Sequence, residues 1–162
     1  MKFFEGVKGG LISSVRAVRR TIFQWSAPGR TRLGPQFIVG PGSRIARGVH
    51  LDVGTRVSIG ANFVCEANLT VGNDVMISSN VAFVGNDHKF EDPKLTLHEQ
   101  GHHPVSCIHL EGDNLIGFGT IIVGSVRIGR GCIVGAGSLV TKDLPADTIC
   151  VGRPARPIRR RR

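Results

Sequence analysis

The body of the chain repeats itself every six residues. Val53, Ile59, Cys65, Val71, Ile77 and Phe83 form one apolar series. Ile45, Leu51, Val57, Phe63, Leu69, Val75 and Val81 form a second, four residues after each start of the frame. After a break the first series resumes as Leu110, Ile116, Ile122, Ile128, Val134 and Val140. In a sequence that is 41% apolar, the thirteen unbroken hits of the last two series arise by chance with a probability on the order of 10⁻⁵, before allowing for choice of frame. Glycine often follows the frame start, at Gly42, Gly48, Gly54, Gly60, Gly72, Gly117, Gly129 and Gly135. A period of six matches neither the helix nor the simple amphipathic strand. It suits a short strand and a tight corner, repeated, with one or two inward side chains per face. Small residues beside the corner let the backbone pass where a larger Cβ would clash. The expected fold is all-β: a parallel β-helix whose stacked turns bury one continuous core. The frame loosens at Pro41 and Arg47, as in a terminal cap, and polar Asn114, Thr120 and Ser138 interrupt it. The pattern leaves the handedness open.

The chain divides into three regions: an N-terminal segment (1–33), the β-helix (34–152) with a protruding loop (84–109), and a C-terminal tail (153–162). Leu110 follows Phe83 by 27 positions, four and a half hexads, so the frame slips by three. The intervening stretch is polar, carries Pro93 and Pro104, and holds five of the six histidines. It reads as a loop thrown out of the coil, the usual place for chemistry on a rigid scaffold. Residues 3–25 read as an amphipathic helix, with Phe4, Val7, Leu11, Val15, Val18 and Ile22 at helical spacings and Lys8, Arg16, Arg19 and Arg20 among the polar positions. Covering the open end of the coil stack is the favoured use of such a helix. The rival use is an interfacial helix on an anionic membrane surface.

Charge is concentrated at the ends. Residues 1–33 carry seven bases and one acid, and residues 153–162 carry six arginines and no acid. The stretch between them has eight bases and eleven acids. Basic ends suit a phosphorylated ligand, an anionic membrane or nucleic acid. The absence of aromatic residues interleaved with the basic ones argues against nucleic acid. No stretch approaches the roughly 18 apolar residues of a membrane span. The N-terminus has no signal-peptide pattern, and Cys65, Cys107, Cys132 and Cys150 contain no CxxC pair. The expected compartment is therefore reducing: the cytoplasm, with the inner face of the membrane as an extension of that reading.

Together the hexads, the GNDHKFEDP loop, the IGRGCIVGAGSLVTKDLP run and the closing VGRPARPI resemble the left-handed β-helix acyltransferases. They are nearest the O-acetyltransferases acting on maltose, galactosides and polysaccharides. The resemblance covers roughly residues 38–159. It implies a left-handed coil of about three hexads per turn, and a homotrimer with active sites between subunits. It implies acetyl-CoA as co-substrate, with no metal, and places His88 as general base. A histidine titrates near neutrality and can take the proton of a hydroxyl as that oxygen attacks the thioester. Asp87, Glu91, Asp92 or a carbonyl are open as the group that orients it. Asn68 and Asp87 are the implied acceptor contacts; the plainer role for Asn68 is a corner asparagine. Gly117, Phe118, Ala136, Thr141 and Lys142 match positions lining the coenzyme, with a backbone N–H near Phe118 holding the oxyanion. Arg153, Arg156 and Arg159 are the implied phosphate contacts. The chain departs from the pattern at Leu115, where many relatives carry Trp, at Glu111, commonly glycine, and in its N-terminal segment.

Two other functions compete. His98, His102, His103 and His109, with Cys107, suffice in number for a γ-carbonic-anhydrase-like zinc enzyme on the same fold. His98 to His102 also spell HExxH, but Gly101 and Pro104 disfavour the helix that motif needs. The third class is a non-enzymatic module that binds a membrane surface through the basic ends.

Overall fold

The computed structural model describes residues 14–23 and 31–161. Residues 14–23 are helical (α1), and residues 31–161 form a solenoid wound from short strands. Its first turn is β1 (Thr31–Leu33), β2 (Ile38–Val39) and β3 (Arg44–Ile45). The second is β4 (Leu51–Val53), β5 (Ser58–Ile59) and β6 (Val64–Cys65). The third is β7 (Asn68–Val71), β8 (Met76–Ile77) and β9 (Ala82–Val84). The fourth is β10 (Cys107–Leu110), β11 (Leu115–Ile116) and β12 (Ile121–Val123), and the fifth β13 (Val126–Ile128), β14 (Ile133–Val134) and β15 (Leu139–Val140). A partial sixth turn bridges Leu144 to Ile128 and continues as β16 (Thr148–Gly152).

Three parallel sheets form the walls, in the orders β1-β4-β7-β10-β13, β16-β14-β11-β8-β5-β2 and β15-β12-β9-β6-β3. The all-β parallel solenoid expected from the hexads is the fold observed, and it matches a left-handed β-helix. Both hexad series point inward throughout. Phe63 and Phe83, each fully buried, meet edge to face with ring centroids 5.1 Å apart, the preferred aromatic geometry. Partners on successive turns commonly lie 18 residues apart, as in Leu51↔Leu69, with 39 across the hairpin (Met76↔Leu115) and 16 at the last step (Ile133↔Ile149). The first turn differs: Ile38 pairs Ser58 and Arg44 pairs Val64, a step of 20. Two extra residues between β3 and β4 account for Pro41 and Arg47. Neither is a core position; Phe37, Val39, Ile45 and Val49 are the buried residues of that turn.

The polar interruptions are bonded to the backbone. Asn114 accepts from Gly112 N–H at 2.9 Å and donates to the carbonyls of Gly129 and Cys132 at 2.8 and 3.3 Å. Ser138 and Thr120 both donate to Gly135 O, at 2.7 and 3.3 Å. Most of the glycines after the frame start work by close approach, whereas Gly48 has open space and a φ of +86°. A Cβ on Gly117 would lie 2.5 Å from Ala136 N on the next turn.

Outside, the sheets differ. The first sheet presents Arg32, Asp52, Thr70, His109 and Arg127 in register. The second presents Ile38, Ser58, Met76, Leu115, Ile133 and Ile149. The third presents Arg44, Val64, Ala82, Ile121 and Leu139. Leu115, the departure from Trp, is one rung of the second column, while Glu111 pairs Arg127 at 2.9 Å beside the first.

At the N-terminal end α1 touches the stack through Phe23, which meets Phe37 at 5.7 Å, and through Arg20, which donates to Leu33 O at 2.9 Å. The apolar stripe itself is not what covers the coil: Val15, Val18 and Ile22 are exposed. Phe4, Val7 and Leu11 lie outside the described residues. At the other end residues 153–162, set apart on charge alone, return along the wall. β17 (Ala155–Arg160) runs antiparallel to β16 on the edge of the second sheet.

Candidate functional site

The segment between β9 and β10 is a hairpin. Ser106 N–H donates to Gly85 O at 2.7 Å, His103 N–H to Asp87 O at 2.9 Å, and Lys89 N–H to Gly101 O at 2.9 Å. These bonds set two antiparallel arms with His88 directly opposite His102. Its tip is braced by its own side chains. Asp92 N–H donates to Gln100 Oε1 at 3.0 Å, and Thr96 gives both its N–H and its hydroxyl to Glu99 Oε2, at 2.9 and 2.7 Å. The insertion leaves the stack undisturbed, since Asn68 pairs Cys107 and Leu69 pairs Ile108 as though the turns were consecutive.

His88 stands exposed on the first arm, its ring centroid 4.0 Å from that of His102 and inclined by 37°. Of the groups open for orienting it, Glu91 faces elsewhere: its carboxylate accepts Phe90 N–H and lies 3.1 Å from His103 Nε2. Those contacts, the Phe90 bond foremost, hold the Glu91 carboxyl below its ordinary range. Asp92 Oδ1 accepts Lys94 N–H at 2.9 Å, and the Asp87 carbonyl takes the His103 N–H. The side chain against His88 is thus His102, which the sequence presents as half of an HExxH. Pairing of the arms is the signal that reveals it. His98 sits exposed among turns at the tip, so the helix that motif requires is absent from these residues. His109 lies on the first sheet and Cys107 beside Asn68. Among the described residues no three histidine, cysteine or carboxylate side chains gather into a metal site.

Asn68 stands at the hairpin's root. Its Oδ1 accepts His50 N–H at 2.8 Å from the preceding turn, so the side chain ties adjacent corners together. Asp87 is exposed on the arm next to His88.

The residues matched to the coenzyme occupy the two edges of the third sheet. Gly117, Phe118 and Ala136 line the corner between the second and third sheets. Phe118 is 55% exposed and its carbonyl accepts Gly137 N–H at 2.7 Å. Gly137 O in turn accepts Arg153 Nε–H at 2.7 Å, which fixes that guanidinium at the same corner. Thr141 and Lys142 follow β15 on the opposite edge, the one that bears the hairpin two turns above, and both are exposed. Arg156 and Arg159 are exposed on β17, where each also donates to a neighbouring carbonyl, of Ala155 at 2.8 Å and of Arg160 at 3.1 Å. Exposed cations and a crowded glycine corner suit a long phosphorylated thioester in chemistry. Within one chain, however, His88 and the Phe118 corner lie on different edges of the solenoid.

No family model matches the chain. It is 32% identical over 108 residues to the galactoside O-acetyltransferase of Lactococcus lactis, covering 67% of this chain and 51% of that enzyme. It is 40% identical over 117 residues to the mitochondrial serine acetyltransferase 3 of Arabidopsis thaliana, covering 72% of this chain and 25% of the relative. The chain thus spans about half the length, or less, of these two relatives. A crystal structure of a hexapeptide-repeat acetyltransferase of Vibrio cholerae, in complex with acetyl coenzyme A, superposes with a TM-score of 0.74 at 27% identity, covering 89% of this chain and 74% of that one. A hexad solenoid with an inserted histidine hairpin and a basic close defines a class, the left-handed β-helix proteins of hexapeptide repeats. Within it, the chain belongs to the hexapeptide-repeat acetyltransferase family.

Proposed function

We propose that the protein transfers an acetyl group from coenzyme A to a hydroxyl of a carbohydrate or a related acceptor, with His88 as general base. The observation that carries this reading is the hairpin: a braced two-armed projection that holds one imidazole clear of the coil. The name of the Lactococcus lactis relative supports a galactoside-like acceptor. That of the Arabidopsis thaliana relative favours serine as a second reading, and there too the acceptor group is a hydroxyl.

In the proposed reaction an unprotonated ring nitrogen of His88 takes the hydroxyl proton as the oxygen attacks the thioester carbonyl carbon. The oxyanion so formed is held by a backbone N–H at the Phe118 corner. Collapse expels the coenzyme thiolate, which recovers the proton from the imidazolium, and the ester leaves. Arg153, Arg156 and Arg159 hold phosphates, Thr141 and Lys142 the coenzyme's arm, and Asn68 and Asp87 the acceptor.

Because His88 and the Phe118 corner lie on different edges, the site requires a second copy of the chain. A homotrimer supplies it. The apolar columns on the second and third sheets, with Met76 55% exposed, suit burial against neighbours, while the first sheet's charged column suits water.

The test measures melting of wild type and His88→Ala with and without acetyl-CoA. A ligand at a hundredfold its dissociation constant adds about 2.7 kcal/mol, a rise of roughly 5–10 °C for a chain of this size. Both proteins should shift alike, and His88→Ala should turn over at least about 10²-fold more slowly. Absence of a shift would overturn the donor, wild-type turnover the base, and a monomer in sedimentation the shared site.

A further inference from the structure

The N-terminal end of the solenoid carries a surface that acetyl transfer leaves unexplained. α1 is anchored by Phe23 against Phe37 and by Arg20 on Leu33 O. On a helix, Val15, Val18 and Ile22 fall on a common face, distinct from that of Arg20. They are 41%, 58% and 65% exposed, so three apolar side chains stand where a solvated helix would carry polar ones. Arg19 borders the stripe on one side, with the exposed Arg16 beyond it. Between the helix and the first turn runs a groove of about 320 Å³, floored by Ile22, Phe23, Val39 and Pro41 and edged by Arg19 and Arg44. Arginine predominates around it: Arg16, Arg19, Arg20, Arg44 and Arg47 lie on α1 and the first turn, while Arg32 is paired with Asp52 at 2.6 Å.

We propose that this end of the solenoid docks on an anionic phospholipid bilayer. α1 lies in the interface, with Val15, Val18 and Ile22 among the acyl chains and Arg16, Arg19 and Arg44 at the phosphates. An exposed apolar stripe bordered by arginine is what an interfacial helix requires. The predominance of arginine at the same end is complementary to a negative leaflet. Among the described residues no helix is long and apolar enough to cross a membrane, so the contact is peripheral. An acceptor site near the hairpin would then work beside a lipid surface. The proposal stands independently of the catalytic reading.

The test is co-sedimentation of the full chain with phosphatidylcholine vesicles, with and without phosphatidylglycerol. Binding is expected on the anionic vesicles only, and should weaken at high salt. Each arginine near the surface contributes about a fivefold factor, so Arg16→Gln with Arg19→Gln should lower partitioning roughly 25-fold. Val18→Asp with Ile22→Asp should abolish it while leaving the far-ultraviolet spectrum and the acetyl-CoA melting shift unchanged, because both side chains face water in the free protein. No binding to anionic vesicles, or binding insensitive to Val18→Asp with Ile22→Asp, overturns the proposal. So does a fall in assembled mass in that variant without vesicle binding in the wild type, which would assign the face to a contact between copies.

Discussion

Gly85 is where the hairpin leaves the solenoid, and it has no room for a side chain. A Cβ built there lies 2.6 Å from Ser106 Cβ and 2.8 Å from Ala67 Cβ. Carbon atoms in contact prefer about 3.5–4.0 Å, so Gly85→Ala must open these contacts by about 1 Å. Ala67 is fully buried in the core, which leaves the arms to move. Overpacking of this kind costs about 1–3 kcal/mol, a fall in melting temperature of roughly 2–12 °C. The functional effect is the larger one. His88 is three residues along the displaced arm, and a misplacement of about 1 Å at a reacting group costs on the order of 10²-fold in rate. Steady-state kinetics should therefore show kcat lowered about 10²-fold. The acetyl-CoA melting shift should persist, because Phe118 and Arg153 sit on another corner, fixed through Gly137. Adding Ser106→Gly to the variant removes one of the two obstructing carbons and should restore part of the rate. A kcat within twofold of wild type in folded Gly85→Ala, or coenzyme affinity lost in step with rate, would refute this account of how His88 is positioned.

Two further outcomes test the scaffold. Asn114→Val restores the hexad pattern yet orphans the buried Gly112 N–H, at about 1–3 kcal/mol, and forfeits two donated bonds of about 0.5–1.5 kcal/mol each. After allowance for the apolar gain the melting temperature should fall by roughly 4–8 °C, and an unchanged or higher value would show that the periodicity outweighs the bonding. Burial pushes the Cys65 thiol up to about 11 and the Cys132 thiol up to about 12, and Cys150 is buried beside Cys132 with sulfurs 3.8 Å apart. A thiol reagent at neutral pH should therefore label Cys107 alone in the folded protein and all four cysteines in denaturant; fast labelling of a second cysteine would show that a turn of the stack opens.

The solenoid was legible because a six-residue corner geometry is local and leaves its mark in every hexad from Leu51 onward. The first turn was less so, since two extra residues between Ile45 and Leu51 displace the frame and make Pro41 and Arg47 look like core positions. Asn114 reads as an imperfection because its partners lie on the next turn, where no short-range pattern reaches. The amphipathic spacing of α1 was correct but its outward direction was not legible: periodicity locates a stripe without saying what faces it. At the site, His88 is apparent from the loop motif, whereas the facing ring of His102 depends on how the two arms pair. The separation of His88 from the Phe118 corner is a property of the closed triangular section, which a linear motif does not convey.

The undisturbed pairing of Asn68 with Cys107 across the hairpin makes the projection a replaceable cartridge. The turns above and below stack across it, so the stability of the stack constrains its length only through closure entropy, about 0.6 kcal/mol for each doubling. The part of the molecule that would meet the acceptor can therefore be lengthened, shortened or swapped almost freely. The corner matched to the coenzyme is less free, because a Cβ on Gly117 would collide with Ala136 N of the next turn. On such a scaffold diversification should fall on the choice of acceptor while use of the donor stays fixed.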